Sequence, residues 1–245
     1  MEISLLMVIF SAMAYGAGAV FVVGFLARLS KYAKAPSPLK IPTTPAPITN
    51  VGVVFRLLGD VILFKSLFKG NKWTWTGGIV FHYCFLLVVI RHLRYFLYPV
   101  AGWDMGVMQN VGVYAGIVLP IAVIYLLMRR TTVDRTMFVS SLADYFALAL
   151  IFSIAVTGLL MKFYVRPFMV DVKGFMYGLV TLNPSAPPAD PVFLLHITLV
   201  FTLMAYFPFS KLMHAGGVFF SPTRNQCDNP REKRHVNPWS PNLSA

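Results

Sequence analysis

Residues 75–100 read WTGGIVFHYCFLLVVIRHLRYFLYPV, and residues 191–214 read PVFLLHITLVFTLMAYFPFSKLMH. Each stretch is long and apolar enough to cross about 30 Å of hydrocarbon as a single helix. An imidazole inside a bilayer is costly unless it is paired or binds something, so histidines within such stretches indicate a metal or haem site. Together the two stretches hold four of the chain's five histidines: His82, His92, His196 and His214.

The composition is that of an integral membrane protein. Of the 245 residues, 57% are hydrophobic and only 12% are charged, and the mean hydropathy is +0.68. So small a polar fraction cannot cover a water-soluble globule, and the net charge of +12 is therefore not taken as a sign of nucleic-acid binding. Cys84 and Cys227 form neither a CxxC motif nor a zinc-ligand spacing, and they predict no disulfide framework.

The expected fold is an all-α integral membrane protein, a bundle of five transmembrane helices. The first segment lacks the basic start of a signal peptide and runs on into basic residues, so it is predicted to be a retained span. Residues 1–220 would form the membrane domain and residues 221–245 a tail outside the bilayer. The five predicted spans are residues 3–27, 75–100, 110–128, 139–161 and 191–213.

The basic residues predict the orientation of the chain. The connection after the first span is proline-rich, and residues 51–72 then mix apolar clusters with Arg and Lys, as in an amphipathic helix on the membrane surface. Most of the 21 Lys and Arg residues fall in residues 28–72, the loop at 129–135 and the tail. By the positive-inside rule these parts are cytoplasmic. The chain is therefore predicted to be a multi-pass protein of the inner (cytoplasmic) membrane, with its N-terminus outside and its C-terminus in the cytoplasm.

The four histidines are predicted to form two pairs stacked across the membrane. Ten residues separate His82 from His92, about 15 Å along a helix, so these two cannot share one metal. Eighteen residues, about 27 Å, separate His196 from His214. Because the second and fifth spans run in opposite directions, His82 meets His214 near the cytoplasm. At the outer face, His92 meets His196. The unequal rises require span five to bend or end, and Pro208 provides a reason.

Two facing imidazoles are typical axial ligands of a low-spin haem iron, whereas zinc prefers three or four close ligands. No CxxCH motif is present for covalent attachment, so the sequence predicts two haems b. A six-coordinate iron leaves no open position for a substrate, which indicates transmembrane electron transfer. The alternative is that one or more of these histidines only hydrogen-bonds to a neighbouring helix. The predicted iron ligands are His82 with His214 in the inner site and His92 with His196 in the outer site.

The spacing His82-x9-His92 stands on the second predicted span, and His196-x17-His214 begins on the fifth. This arrangement resembles the γ-subunit family of respiratory nitrate reductase, the di-haem, quinol-oxidising membrane anchors. The resemblance covers spans two to five and the tail, and it implies that the outer pair ligates a distal haem and the inner pair a proximal haem. Members with a well-defined quinol site have a lysine just after the second span, and residues 102–112 contain none.

Residues 213–239 read MHAGGVFFSPTRNQCDNPREKRHVNPW, and they resemble one branch of this family. That branch comprises the cytochrome b subunits of the sulfite-reductase-associated DsrMKJOP complex. The resemblance implies electron exchange between menaquinone and DsrK, a cytoplasmic iron–sulfur partner similar to the catalytic subunit of heterodisulfide reductase. It also implies further subunits that face outward, one of them a periplasmic c-type cytochrome, and a role in sulfur metabolism.

Polar residues at the ends of the spans are candidates for quinone and haem-propionate contacts. Asp104 is the only carboxylate in the short loop after the second span, and it is the predicted proton acceptor for quinol. Trp103 is either a quinone contact or part of the interfacial aromatic belt. Arg91 and Arg94 are predicted to pair with propionates, with quinone or lipid as the alternative. The corresponding candidates at the inner face are Lys72, Arg129 and Arg130.

The remaining predictions concern partners. The tail mixes basic residues with Trp239 and is predicted to dock the cytoplasmic iron–sulfur subunit, with lipid headgroups as the alternative. Asp144 is predicted to serve either a proton path or an interhelical hydrogen bond. Two other functions stay open: a membrane anchor with one functional haem or none, and a quinone-independent conduit between an external c-type cytochrome and the cytoplasm. The direction of electron flow is left open as well.

Overall fold

The computed structural model describes residues 4–36, 42, 44–97 and 106–229, with the main chain alone at 106–107. The regular structure of these residues is entirely helical. In chain order the α-helices are α1 (Leu5–Lys34), α2 (Asn50–Ile62), α3 (Lys65–Gly70), α4 (Lys72–His92), α5 (Gly106–Thr132), α6 (Asp134–Phe138), α7 (Leu142–Leu160), α8 (Met169–Val180), α9 (Pro191–Tyr206), α10 (His214–Gly217) and α11 (Pro222–Asn225).

Five helical segments among the described residues are long and apolar enough to cross a membrane. The prediction of a five-span, all-helical membrane protein is therefore confirmed, and the chain is a multi-pass membrane protein. Some segments continue beyond their α-helix through a 3₁₀ or π turn. The five spans are Leu5–Lys34, Lys72–Tyr95, Met108–Thr132, Leu142–Val165 and Pro191–Phe209.

The spans pack as a curved row rather than as a closed ring. Helix α4 packs on α5, α5 on α7, α7 on α9, and α9 on α1. Close approach within the row depends on small residues, as is usual between helices in membranes. A Cβ on Gly77 of α4 would overlap the ring of Tyr125 on α5. The curvature brings α4 opposite α9, and side chains of these two helices face each other across the concave side of the row.

One end of the bundle, here called the basic end, is where α4 and α7 begin and where α1, α5 and α9 finish. It carries the short helices α2, α3, α6, α10 and α11. Helices α2 and α3 are separated at Phe64, which adopts the left-handed conformation with φ 49°. Two hydrogen bonds hold this break against α4: Trp75 Nε1 donates to Leu63 O at 2.9 Å, and the Tyr83 hydroxyl donates to Ile62 O at 3.0 Å. The amphipathic segment expected at 51–72 is thus two helices and the start of the second span.

The first residues of the tail fold back onto this end. Arg224 pairs with Asp60 at 2.6 Å and also donates to Ser66. The backbone N–H of Asp228 donates to Pro47 O at 2.9 Å. Residues 221–229 are therefore part of the chain's own platform with α2 and α3. The tail residues predicted to dock a partner lie largely outside the described residues: Arg231, Lys233, Arg234, His235 and Trp239.

The other end of the bundle is covered by α8, which lies in the connection between the fourth and fifth spans. Phe175 of α8 is fully buried, and it meets the ring of Phe193 on α9 edge-on with centroids 6.3 Å apart. Phe10 of α1 belongs to the same apolar core. The fourth span ends just before α8 in a π turn, and Arg166 then takes φ 51°. This end of the bundle is consequently closed by a packed helix.

The fifth span begins and ends at clear signals. Asp190 caps α9 by accepting hydrogen bonds from the N–H groups of Val192 and Phe193. Helix α9 stops at Tyr206, and two 3₁₀ turns follow. Pro208 lies in the first of these turns, is buried, and packs so closely on Gly24 of α1 that a Cβ there would overlap it. The regular helix therefore ends before His214.

Candidate functional site: two facing histidine pairs

The structure brings the four histidines together in the two predicted pairs. His92 of α4 and His196 of α9 face each other with ring centroids 6.5 Å apart and ring planes 15° from parallel. Nearer the basic end, His82 of α4 faces His214, the first residue of α10, with centroids 5.9 Å apart and planes 86° from parallel. The two pairs thus join the second span to the fifth span and its continuation.

The Nδ1 atom of each histidine is already engaged by the protein. Three of these atoms bond to backbone carbonyl oxygens, which only accept, so Nδ1 carries the proton and Nε2 keeps its lone pair. Among the residues that the structure describes, no hydrogen bond involves any of the four Nε2 atoms. The three carbonyl contacts are His82 to Gly78 (2.7 Å), His92 to Val88 (2.6 Å) and His214 to Lys211 (2.8 Å).

His196 has a different partner, the hydroxyl of Thr157 on α7, at 2.9 Å from its Nδ1. The same hydroxyl lies 2.8 Å from Ser153 O and 3.1 Å from Ile154 O, and it donates its proton to these carbonyls. The Thr157 oxygen is then the acceptor for Nδ1–H of His196. All four imidazoles are therefore held in the tautomer that leaves Nε2 available as a ligand.

The spacing of the rings fits a haem iron. An imidazole nitrogen binds a metal at about 2 Å, and the ring centre lies roughly 1.15 Å beyond it, so two axial imidazoles on one iron have centroids about 6.3 Å apart. The measured separations are 6.5 and 5.9 Å. No group of three or more His, Cys, Asp or Glu side chains that could hold a metal occurs in the described part of the chain. The geometry suits two-ligand axial coordination better than a tetrahedral zinc site.

Two phenylalanine rings contact His82, the α4 member of the pair nearer the basic end. The rings of Phe64 and Phe81 both have centroids 5.0 Å from that of His82. Phe64 reaches His82 because its left-handed backbone turns the chain between α2 and α3 towards α4. Strained backbone of this kind persists where surrounding contacts determine it, and it is concentrated at functional sites. His82 is therefore contacted by a segment that lies outside the five spans, whereas His214 is exposed.

The basic side chains predicted to contact haem propionates or quinone occupy different environments. Arg94 bonds to Gln109 Oε1 at 2.5 Å and to Met169 Sδ at 3.2 Å. Arg129 donates to Thr74 Oγ1 at 3.2 Å. The Nε–H groups of Arg91, Arg94 and Arg129 are buried without a partner among the described residues, so each could still donate to an anion. Lys72 lies over the ring of Phe68, with Nζ 5.5 Å from its centroid.

Arg130 takes part in an ion-pair cluster around the buried carboxylate of Asp144. Its Nη1 lies 2.9 Å from Ser140 Oγ and 3.5 Å from Asp144 Oδ2. Lys211 Nζ is 2.6 Å from the same carboxylate oxygen, which also accepts from the N–H of Ser141 at 2.8 Å. Of the two roles predicted for Asp144, the structure supports the interhelical contact. Trp103 and Asp104, the predicted quinone residues, lie outside the described residues.

Three side chains around the site were not among the predicted site residues: Thr157, Phe64 and Lys211. Thr157 stands inside an apolar span where several threonines bond to their own helix. The sequence signal that could have identified it is its neighbour Gly158, a small residue that allows a second helix to approach. A Cβ on Gly158 would lie 3.4 Å from His196 Cε1. Helix α7 thus contacts the His196 ring through these two consecutive residues.

The fold and the site together define a multi-pass membrane protein in which two histidine pairs connect the second and fifth spans. The chain belongs to the nitrate reductase gamma subunit family, whose model matches residues 50–227. The family resemblance inferred from the histidine spacing is therefore confirmed.

Two archaeal relatives cover most of the chain. A protein of Archaeoglobus fulgidus described as an Hdr-like menaquinol oxidoreductase cytochrome b-like subunit is 36% identical, over 93% of this chain and 82% of that protein. A protein of Archaeoglobus profundus with the same description is 34% identical, over 96% of this chain and 83% of that protein.

Proposed function

We propose that this chain is a di-haem b membrane cytochrome that transfers electrons between menaquinol and a cytoplasmic iron–sulfur subunit. The observation that carries the proposal is the pairing of four imidazoles whose Nε2 atoms are left available and whose rings stand 6.5 and 5.9 Å apart. The description of the archaeal relatives as menaquinol oxidoreductase cytochrome b-like subunits supports the choice of menaquinone as the membrane substrate. We place the protein in the inner membrane as an electron-transfer subunit of a larger complex.

At a finer level, we propose that the chain acts as a DsrM-type subunit of a DsrMKJOP-like complex, with DsrK as its cytoplasmic partner and a periplasmic c-type cytochrome among the other subunits. The support is the resemblance of residues 213–239 to that branch of the family, together with the Hdr-like description of the relatives. A role in dissimilatory sulfur metabolism follows from this assignment.

The proposed ligand sets are His92 with His196 and His82 with His214. A haem b with two axial imidazoles supplies one-electron transfer without an open position on its iron. The protein fixes each imidazole through its Nδ1 contact and leaves Nε2 available as a ligand. Because His82 and His92 are ten residues apart on α4, about 15 Å along the helix, the two proposed sites lie at different depths in the membrane.

The two ends of the bundle have different proposed roles. The positive-inside rule makes the basic end cytoplasmic, so the His82–His214 site is proposed to face the iron–sulfur subunit. Asp104 is proposed as the proton acceptor for quinol at the outer end, with Trp103 as a quinone contact. Arg91, next to His92, is the proposed propionate contact there, since its buried Nε–H has no partner in the described structure.

The proposal is tested by four single substitutions of histidine by alanine in the full-length protein in membranes. We expect His92→Ala and His196→Ala to remove the same haem, and His82→Ala and His214→Ala to remove the other, because each iron needs both axial ligands. Haem content is measured by extraction and by reduced-minus-oxidised spectra. His235→Ala is the matched control, since this histidine belongs to neither pair, and it should retain both haems.

Electron paramagnetic resonance identifies which haem is lost. The spectrum of a low-spin ferric haem depends on the angle between its two axial imidazole planes, and these angles are 15° and 86° at the two sites. We therefore expect two distinguishable signals in the wild type and one in each variant. Loss of a single haem by both His82→Ala and His92→Ala would contradict the pairing. Retention of two haems by all four variants would show that other residues bind the haems, whereas one haem or none in the wild type would favour the anchor function.

Reduction by a menaquinol analogue separates quinone chemistry from a quinone-independent conduit. We expect the purified complex to accept electrons from the quinol, with the His92–His196 haem reduced first. Absence of quinol-dependent reduction in a preparation that retains both haems would favour the conduit.

A further inference from the structure

The Nδ1 contact of His196 differs in kind from the other three. His82, His92 and His214 each donate to a backbone carbonyl of their own segment, three or four residues earlier. His196 instead donates to the side-chain hydroxyl of Thr157, which belongs to another span. A backbone carbonyl stays in place when its residue is substituted. Among these four hydrogen bonds, the Thr157 contact is therefore the one whose acceptor belongs to a side chain.

The contact is buried and well supported. Thr157 and His196 are 6% and 9% exposed, so water does not readily replace either partner. The Thr157 hydroxyl donates to the carbonyls of Ser153 and Ile154 while it accepts from His196. A hydroxyl that donates to a carbonyl is polarised and becomes a better acceptor, because hydrogen bonds in a chain strengthen one another. The direction of the chain also fixes the proton of His196 on Nδ1.

The neighbouring residue also lies against the His196 ring. Gly158 follows Thr157 on α7, and a Cβ at that position would lie 3.4 Å from His196 Cε1. The imidazole of His196 therefore rests against the backbone of α7, with the hydroxyl of Thr157 at its Nδ1 edge. Gly158 thus packs against the ring and Thr157 provides the hydrogen-bond acceptor at its edge.

We propose that Thr157 is a positioning residue for His196. Its hydroxyl sets the orientation and the electron-donating strength of the His196 imidazole, and it thereby sets the reduction potential of the His92–His196 haem. The inference rests on the proposed function, because it assumes that His196 ligates iron. A hydrogen bond from Nδ1–H increases the basicity of a metal-bound imidazole, and such outer contacts tune metal sites strongly. A more basic ligand favours ferric iron, so removal of the acceptor raises the potential.

The test compares Thr157→Val, Thr157→Ser and Thr198→Val in the full-length protein. Valine keeps the shape of threonine but removes the acceptor, and serine retains the hydroxyl. Thr198 is the matched control, because its hydroxyl bonds at 2.7 Å only to Leu194 O within α9. An apolar groove of about 300 Å³ between α7 and α9 opens beside Thr157.

We expect Thr157→Val to shift the ferric–ferrous equilibrium of the His92–His196 haem about tenfold towards ferrous, which is equal to about +59 mV for one electron. The other haem should keep its potential. Thr157→Ser and Thr198→Val should titrate as the wild type. The two potentials are measured by redox titration monitored by optical and paramagnetic resonance spectra, which do not depend on activity.

Unchanged potentials and spectra in Thr157→Val would overturn the proposal, as would an equal shift of both haems. If the valine variant fails to accumulate, Thr157→Cys provides the test, since sulfur is a weak acceptor and should give the same upward shift. His196→Ala separates this inference from the function on which it rests. If that variant retains both haems, the ligand assignment fails; if it loses one haem while Thr157→Val changes nothing, only the role of Thr157 fails.

Discussion

Asp144→Asn is expected to disturb the His82–His214 site from a distance. The carboxylate of Asp144 is 6% exposed and contacts Lys211 Nζ at 2.6 Å, while the backbone carbonyl of Lys211 accepts the Nδ1–H of His214 at 2.8 Å. Lys211 therefore couples a buried charge on α7 to the position of a haem-ligand candidate. Asparagine keeps the size of the side chain and an oxygen that can accept from Ser141, so the start of α7 stays capped.

The energetic cost follows from the geometry of the two ion pairs. The Lys211 contact is short, but this side chain is 67% exposed, so we assign it about 1.5 kcal/mol, the lower limit for hydrogen bonds to charged groups. The Arg130 contact is longer, at 3.5 Å, and its side chain is 32% exposed, which reduces its value to about 0.5 kcal/mol. The sum is about 2 kcal/mol, which corresponds to roughly a 30-fold change in the equilibrium between the segment around Lys211 held by Asp144 and the same segment released from it.

The assay combines thermal unfolding in detergent with a redox titration of both haems. We expect Asp144→Asn to lower stability by about 2 kcal/mol, and to broaden the signal and shift the potential of the His82–His214 haem only. Asp171→Asn is the control, because Asp171 is an exposed carboxylate in the first turn of α8, at the other end of the bundle. The reasoning is refuted if both haems change equally, or if stability falls with no change at the His82–His214 haem.

Two further predictions concern the platform formed by the tail. Burial raises the pKa of Asp60, but hydrogen bonds from Ser66 and Arg224 lower it by more, so the folded-state pKa lies below the ordinary 3.8. A carboxyl group with a lowered pKa contributes stability that is present above pH 3.8 and is lost as the pH falls through the folded-state pKa. Proteolysis of the tail in detergent should therefore accelerate only in that acidic range. Asp60→Asn should remove this pH dependence. Truncation after Asn229 is expected to release the iron–sulfur subunit, while both haems and the contacts between the tail and the platform remain. Co-purification of the subunit and a haem spectrum measure these two results. If the subunit is retained after this truncation but lost after truncation behind Phe220, it docks on the platform itself.

The sequence was sufficient to predict the spans and the pairing of the histidines, for simple reasons. Long apolar runs have few alternatives to transmembrane helices, and two ligands on each of two antiparallel spans can meet in only one order. The predicted bend or end of span five at Pro208 agrees with α9 stopping at Tyr206, although the span itself was predicted to run to residue 213. These features depend on local chemistry and on counting residues along a helix.

Features that depend on tertiary contacts were not predictable in the same way. The sequence left Asp144 with two possible roles, and only the position of Lys211, 67 residues further along the chain, decides between them. The return of the tail depends on Arg224 reaching Asp60, a contact between residues 164 positions apart. Helix α8 was missed because 12 residues are too few for a span and its apolar face is recognisable only against the core that it covers.

The two histidine sites differ in how their ligands are supported, and this difference bears on their roles. His92 is the last residue of α4 and His196 stands within α9, and the Nδ1 contact of His196 comes from a neighbouring span. His214 stands after two 3₁₀ turns, so no continuous α-helix fixes its position. Tertiary contacts replace that helix: Pro208 against Gly24, and Lys211 against Asp144.

A ligand supported in this way responds to whatever binds nearby. The platform of α2, α3 and residues 221–229 packs at the same end, and its Phe64 ring contacts His82 directly. A partner that docks on the platform would therefore act on the His82–His214 site through contacts that already exist, whereas the His92–His196 site lies farther along the bundle. We accordingly expect partner binding to shift the potential of the His82–His214 haem, and Phe64→Ala to weaken that response without preventing docking.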